Sequence, residues 1–231
     1  MTTTPGSPSP NTPGAPAPTG VGRTALMVAA ARAAESARED RLFTDPYAAD
    51  FLAAAGSGEE AGGAGEASKM WDSFSSYLPI RTRFFDDYLR AATDTVRQVV
   101  IVAAGLDTRA FRLPAAPEVT VYELDTPDML AFQQRELDAR GARPSSGRRV
   151  AVAVDLREDW GSPLDSAGFD PDAPAAWLVE GLVSYLSPGD NDRLLAGISG
   201  RSVSGSRLSI EYLHRDTVAL MGAAITGGSD T

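Results

Sequence analysis

From Gln98 onward, short apolar runs alternate with helix-spaced segments, and no other feature of the sequence limits the possible folds so strongly. QVVIVAAG, residues 98–105, is a continuous apolar run closed by glycine, as a strand buried on both faces reads. VTVYELD, RRVAVAVDL, AAWLVEGLVSYL and SRLSIEYL supply four further strands. Between them, LDTRAFRL offers Asp107 or Thr108 as a helix cap, and TPDMLAFQQRELDARG carries Pro127 in its first turn and Gly141 past its end. SPGDNDRLLAGISG reads as a helix capped by Ser187. Strands and helices in alternation imply a parallel sheet with right-handed crossovers, hence an α/β fold.

The segment before the sheet has a different character. Residues 1–20 are almost entirely Thr, Pro, Ser, Gly and Ala and read as a disordered tail without the basic and apolar regions of a secretory signal, so a cytoplasmic location is expected. Residues 21–231 form a single expected domain. Val21 to Leu52 contains two helices separated by a turn at Asp45-Pro46, and Gly56 to Gly65 is a flexible loop. Pro79 is placed to open a further helix through about Thr93. In that helix Asp86 and Arg90, and Arg83 and Asp87, stand at i,i+4 and explain one another on a solvated face. Arg81 stands instead on the side of Phe84 and Phe85, where a guanidinium either snorkels to water or needs an anion or a tertiary acid.

Composition removes several classes of function. With 21 basic against 31 acidic residues, the net charge of −10 repels phosphate backbones and anionic lipid, so neither a nucleic acid nor a membrane is an expected partner. No run of apolar residues is long enough to span a bilayer. The chain has no cysteine and one histidine, His214, which excludes disulfide scaffolds, thiolate chemistry and multi-histidine metal sites; no metal is expected.

In an open parallel sheet the ligand lies beyond the carboxyl ends of the strands. Those ends carry Gly105 after the first strand, Glu123 and Asp125 after the second, Asp155 after the third and Glu180 after the fourth. Gly105 permits close backbone approach, and Asp125 follows it at the separation where an acid commonly takes ribose hydroxyls. Each acid has an ordinary alternative role as a helix cap, Asp125 for the helix at Thr126-Pro127 in particular. AAGLDTRAF has one glycine where a dinucleotide pyrophosphate needs several, so a nucleoside without phosphates fits better than NAD or ATP, and a nucleotide-dependent oxidoreductase is disfavoured. S-adenosylmethionine is such a nucleoside, and its sulfonium suits an acidic protein.

GVGRTALMVAAARAAE, LFTDPYAADFL, IRTRFFDDYL, VVIVAAGLDTRAFRL, VYELD, VAVDLREDW and LVEGLVSYL, in this order, resemble the actinobacterial S-adenosylmethionine-dependent methyltransferases related to leucine carboxyl methyltransferase. The resemblance runs from about Val21 to Leu213. It implies a class I methyltransferase Rossmann-like sheet with helices on both faces, with the family's cofactor positions falling on Arg81, Gly105, Asp125, Asp155, Leu156 and Glu180. By that analogy Arg81 pairs the methionine carboxylate, Gly105 lies against the methionine part and Asp125 holds the ribose. Asp155 then accepts from the adenine amino group, Leu156 lies at the ring, and Glu180 lies near the methionine end.

Methyl transfer asks the protein mainly to align nucleophile, methyl and sulfur and to exclude water, so no catalytic residue is assigned. A carboxylate acceptor needs no base; a hydroxyl acceptor needs one, for which His214 is the candidate, with a surface or capping role as its alternative. Tyr185 and Tyr212 are candidates for the wall of a small-molecule acceptor pocket or for the core. Trp71, Trp160 and Trp177 read as packing residues. A class I sheet normally ends in an antiparallel hairpin beside the fifth strand, but HRDTVALMGAAITGGSDT leaves room for one helix and a polar end. The C-terminal strands are therefore expected to be missing, which leaves an edge suited to self-association. The expected function is O-methylation of a carboxylate or hydroxyl on a small molecule, the alternative being a truncated, inactive cofactor-binding protein.

Overall fold

A computed structural model describes residues 22–56, 66–145 and 147–213. The expectations for the Pro/Thr-rich tail, for most of the 56–65 loop, for the Trp71 side chain and for His214 and the segment after it lie outside these described residues. Two helices, α1 (Gly22–Ser36) and α2 (Ala48–Ala54), precede a long α3 (Glu66–Thr93). Then follow β1 (Gln98–Val102), α4 (Arg109–Arg112), β2 (Thr120–Asp125), α5 (Pro127–Ala139), β3 (Arg148–Ala153), α6 (Gly161–Ser166), β4 (Ala175–Val179), a 3-10 turn (Val183–Tyr185), α7 (Pro188–Gly200) and β5 (Arg207–Ile210).

The five strands form one sheet in the order β3-β2-β1-β4-β5, and every pairing is parallel. β1 lies in the middle and is buried throughout, which is why it reads as an unbroken apolar run. Its alternate residues feed two cores. Val99 and Ile101 join Leu26, Ala29, Phe51, Phe85, Leu89 and Phe132, so α1, α2, α3 and α5 cover one face. Val100 and Val102 join Trp160, Leu164, Trp177, Leu194 and Ile198, so α6 and α7 cover the other. Trp160 and Trp177 meet edge to face at 6.2 Å and are packing residues as expected. β5 has a neighbour on one side only among the described residues, and its Leu208 and Ile210 are exposed. Among the described residues no helix is long and apolar enough to cross a membrane.

The helix expected to open at Pro79 begins instead at Glu66, with Pro79 in its interior. A proline there removes one backbone hydrogen bond. Leu78, Phe85, Leu89 and Ala92 are all buried and recur at helical spacing through this stretch, so the apolar face carries the helix past the proline. The capping expectations fare better. Ser187 Oγ accepts from the Asp190 N–H at 3.1 Å, and Asp107 Oδ1 accepts from the Arg109 N–H at 2.6 Å. Asp45 does the same for α2, accepting from Tyr47 and Ala48 at 3.0 and 3.1 Å.

The turn that leaves β1 is strained at one residue. Ala103 has φ of +55°, a left-handed conformation that costs an L-residue with a Cβ about 1–2 kcal/mol. Ala103→Gly should therefore stabilise the fold by about 1 kcal/mol after allowing for the extra freedom glycine gives the unfolded chain. A higher urea midpoint at unchanged slope is the expected result; a lower midpoint would show that the Ala103 methyl contributes more by packing than it loses in strain.

Candidate functional site

Because the strands are parallel and in register, their carboxyl ends come to one edge of the sheet. Leu124, Val102, Val179 and Ile210 lie level across β2, β1, β4 and β5. The ladder continues past the strands, with Ala104 N–H donating to Leu124 O at 3.0 Å, Val154 N–H to Asp125 O at 2.9 Å and Glu211 N–H to Val179 O at 2.8 Å. β1 and β4 are adjacent while the connections leave them in opposite directions, which makes their carboxyl ends the topological switch point where such sheets form a crevice. Gly105 and Gly181, on the loops at this point, both have positive φ, +56° and +68°.

Gly105 and Asp125 are joined directly. The Gly105 N–H donates to Asp125 Oδ2 at 2.7 Å, and the Thr126 N–H donates to Asp125 Oδ1 at 2.7 Å. Asp125 therefore ties the β1 loop to the end of β2, and the N-cap of α5 is Thr126 rather than Asp125. Burial pushes the Asp125 carboxyl up, and the two backbone N–H groups only partly offset it. The Thr126 hydroxyl also donates to Oδ1, at 3.3 Å, so Oδ1 is filled and Oδ2 keeps one unused lone pair.

Arg81 has tertiary acids on both sides. Its Nε lies 2.8 Å from Glu180 Oε1, and its Nη1 donates to both oxygens of Glu211 at 3.1 and 3.0 Å. The anion that the helix could not supply thus comes from the ends of β4 and β5. Glu180 also receives Arg109 Nη1 at 2.7 Å, while Arg109 Nε donates to Asp86 at 2.8 Å and Nη1 also pairs with Asp107. Burial raises the Glu180 carboxyl, but Arg109 and Arg81 together overcome it and hold the group below its usual range.

Two expectations are corrected here. Asp86 is not on a solvated face with Arg90: it is wholly buried and receives Arg109 and both terminal nitrogens of Arg112, at 2.5 and 2.8 Å. Arg90 pairs with Asp87 instead, beside Arg83. Helical spacing registers only neighbours on one helix, and these partners come from α4. Glu123 is likewise not at the ligand edge, since it lies within β2, fully buried against Arg149 Nη2 at 2.8 Å, and serves the fold. The alternation of the strand had already turned it to the face opposite Leu124.

Asp155 follows β3 and is bound by its own loop, accepting from Arg157 N–H at 3.0 Å and Arg157 Nε at 2.9 Å. The Arg157 guanidinium holds its carboxyl down to about 2. Leu156 packs at the margin of the core that contains Trp160. Tyr185 and Tyr212 are exposed, which removes them from the core. The sequence reading missed Arg109, Tyr77 and Glu211. Glu211 was legible by the rule that found Glu180, because it stands at the carboxyl end of the fifth strand as Glu180 stands at that of the fourth.

These residues fit an S-adenosylmethionine molecule on grounds internal to the structure. Arg81 Nε is buried and makes no hydrogen bond although Glu180 lies 2.8 Å away, and Nη1 is held by Glu211, so a ligand carboxylate reaches this guanidinium by displacing an acid already beside it. Asp125 retains an acceptor on Oδ2 for one hydroxyl of a diol, and the other would replace the Thr126 hydroxyl on Oδ1. Gly105 carries no side chain to fill the loop between them, and a Cβ built there would already be in contact with Ala25.

Depression of the Glu180 carboxyl has a consequence for stability. A carboxylate whose folded value lies below 4.5 contributes stability that is complete above that pH and is lost as pH falls through the folded value. In urea titrations from pH 7 downward, the wild-type midpoint should fall across that window more steeply than that of Glu180→Gln, which should also be less stable by about 3 kcal/mol at pH 7. Parallel pH profiles would show that the arginines do not discriminate between the charged and neutral forms.

Residues 25–199 match the leucine carboxyl methyltransferase family. A protein of Saccharopolyspora erythraea named as an S-adenosyl-L-methionine-dependent methyltransferase is 48% identical over 206 residues, covering 88% of this chain and 71% of that protein. One of the same name from Parafrankia is 48% identical over 198 residues, covering 83% of this chain but 63% of its own length. Among solved structures, a DUF574 family protein from Streptomyces avermitilis matches with a TM-score of 0.50 at 21% identity, over 80% of this chain and 66% of that one, a likeness of fold. The parallel sheet with helices on both faces is the Rossmann-like core of class I methyltransferases, and the chain belongs to the leucine carboxyl methyltransferase family of S-adenosyl-L-methionine-dependent enzymes.

Proposed function

We propose that this chain binds S-adenosyl-L-methionine along the carboxyl edge of its sheet and methylates an oxygen, a carboxylate or a hydroxyl, on a small molecule. The observation that carries the reading is the Gly105–Asp125 pair at the topological switch point, with the carboxylate fixed by two backbone N–H groups and the Thr126 hydroxyl, and one lone pair of Oδ2 unused. A carboxylate so held accepts one ribose hydroxyl on Oδ2 without first having to be ordered, and the second on Oδ1 in place of the rotatable Thr126 hydroxyl. Arg81 would take the methionine carboxylate. Glu180, with one acceptor position filled by Arg109 and an ion pair to Arg81, has capacity left for the methionine ammonium. Asp155 and Leu156 would meet the adenine.

When bound, the cofactor supplies a methyl group already activated by its sulfonium. The chain's part is then alignment and exclusion of water. The acceptor oxygen forms the new bond to carbon as the carbon–sulfur bond breaks, so a side chain is needed only if the acceptor arrives protonated. Carboxylate acceptors satisfy this without a base. The exposed Tyr185, on the loop after β4, is the candidate for the acceptor side.

Calorimetric titration of the full chain with S-adenosylhomocysteine tests the reading. Asp125→Ala should weaken binding by about 1.5–3 kcal/mol, the worth of a hydrogen bond to a charged group. Equal affinity in a folded variant would return Asp125 to its role as a loop tie.

A further inference from the structure

Glu211 is the most fully engaged carboxylate at the ligand edge. Its Oε1 accepts from the Tyr77 hydroxyl at 2.7 Å and from Arg81 Nη1 at 3.1 Å; its Oε2 accepts from the Gly181 N–H at 2.6 Å and from Arg81 Nη1 at 3.0 Å. A carboxylate has about four acceptor positions, and all of those on Glu211 are used. It therefore has nothing to offer a ligand's ammonium. What it does instead is hold Nη1 of Arg81, the guanidinium proposed above to receive a carboxylate.

Charge points the same way. Arg81, Arg109 and Arg112 share their surroundings with Asp86, Asp107, Glu180 and Glu211, three cations against four anions, and both Arg81 and Glu211 are almost wholly buried. Another carboxylate drawn to Arg81 while Glu211 stays in place sets two like charges side by side at low solvent exposure, although the ligand's ammonium at Glu180 balances the total charge. The Glu211 backbone is fixed by its N–H bond to Val179 O, whereas its side chain is held at the tip by Tyr77, Gly181 and Arg81. The side chain can turn away while the strand stays. Tyr77, part-exposed within α3, is the anchor most easily released.

We infer that Glu211, anchored by Tyr77, competes with the ligand's carboxylate for Arg81 and so sets how strongly the site responds to the amino-acid end of its ligand. This rests on the functional reading above, in which Arg81 receives that carboxylate. The competition lowers affinity for any ligand that must displace Glu211 and leaves untouched a ligand that lacks a carboxylate.

Two ligands separate these cases. S-adenosylhomocysteine carries the amino-acid group, and 5′-methylthioadenosine shares its adenosine and thioether but has neither carboxylate nor ammonium. Both are titrated calorimetrically into the full-length wild type, Glu211→Gln and Tyr77→Phe, with a thermal melt of each variant to verify folding. Glu211→Gln should tighten S-adenosylhomocysteine by about tenfold, Tyr77→Phe by less, and neither should change 5′-methylthioadenosine. Unchanged or weaker S-adenosylhomocysteine binding in a folded Glu211→Gln, with 5′-methylthioadenosine still bound, overturns the competition and leaves the cofactor site standing. The same holds for Tyr77→Phe should Glu211→Gln not fold. A wild-type chain that binds neither ligand overturns the functional reading and the competition with it.

Discussion

The structure depends on a set of arginines that are inside the protein and cannot lose their charge. Arg109 is the centre of it, bonded to Asp86 from α3, to Asp107 on its own turn and to Glu180 at the end of β4. Asp86 passes the contact to Arg112, and Arg112 meets the Thr108 hydroxyl, which donates to Asp45 beside Arg32 of α1. In the other direction Glu180 leads through Arg81 to Glu211. The chain of charges thus runs from the first helix to the end of the fifth strand. Buried pairs of this kind add little net stability over apolar substitutes, because desolvation consumes most of the Coulombic gain. Their effect is positional, since removal of any one member strands a buried charge, and the helical layer can sit on the sheet in only one way. The residues so positioned include Arg81 and Glu180, which the proposed reading sets against the ligand.

This explains a division in what could be read from the sequence. Local devices were legible. The β1 run, the Pro127 start and Gly141 end of α5, and the Ser187 cap each follow from periodicity or capping within a few residues, and the structure has them. The acids at strand ends were legible as well, because parallel register delivers successive ends to one edge whatever the loops do. Long-range partners were not. Asp86 and Arg90 stand at a favourable spacing, yet Asp86 is bonded to arginines more than twenty residues away, and nothing on its own helix signals that. Glu123 looked like an edge residue only because it neighbours Asp125; strand alternation placed it inside, against Arg149. The Pro79 misreading has the same origin, since local proline chemistry was outweighed by an apolar face extending on both sides of it.

The ligand edge also carries the only non-glycine residue of the described structure with positive φ, Ala103, one position from the loop that presents Gly105. Strain at such a place is tolerated where the surrounding contacts determine the backbone, and here the Asp125 carboxylate and the Leu124 carbonyl both hold the loop through N–H bonds. Asp125, raised in pKa by its burial, and Glu180, lowered by two arginines, are therefore two carboxylates of opposite electrostatic character at one edge. One suits neutral hydroxyls and the other a cation, which matches the two ends of an amino-acid-bearing nucleoside.

The most direct test of this account is a crystal structure of the full chain with S-adenosylhomocysteine. The account predicts the ribose hydroxyls on Asp125, the amino-acid carboxylate on Arg81 and the adenine between the β3 loop residues Asp155 and Leu156 and the sheet. A ligand bound elsewhere, or lying at this edge with Asp125 and Arg81 making only the contacts described above, would contradict it.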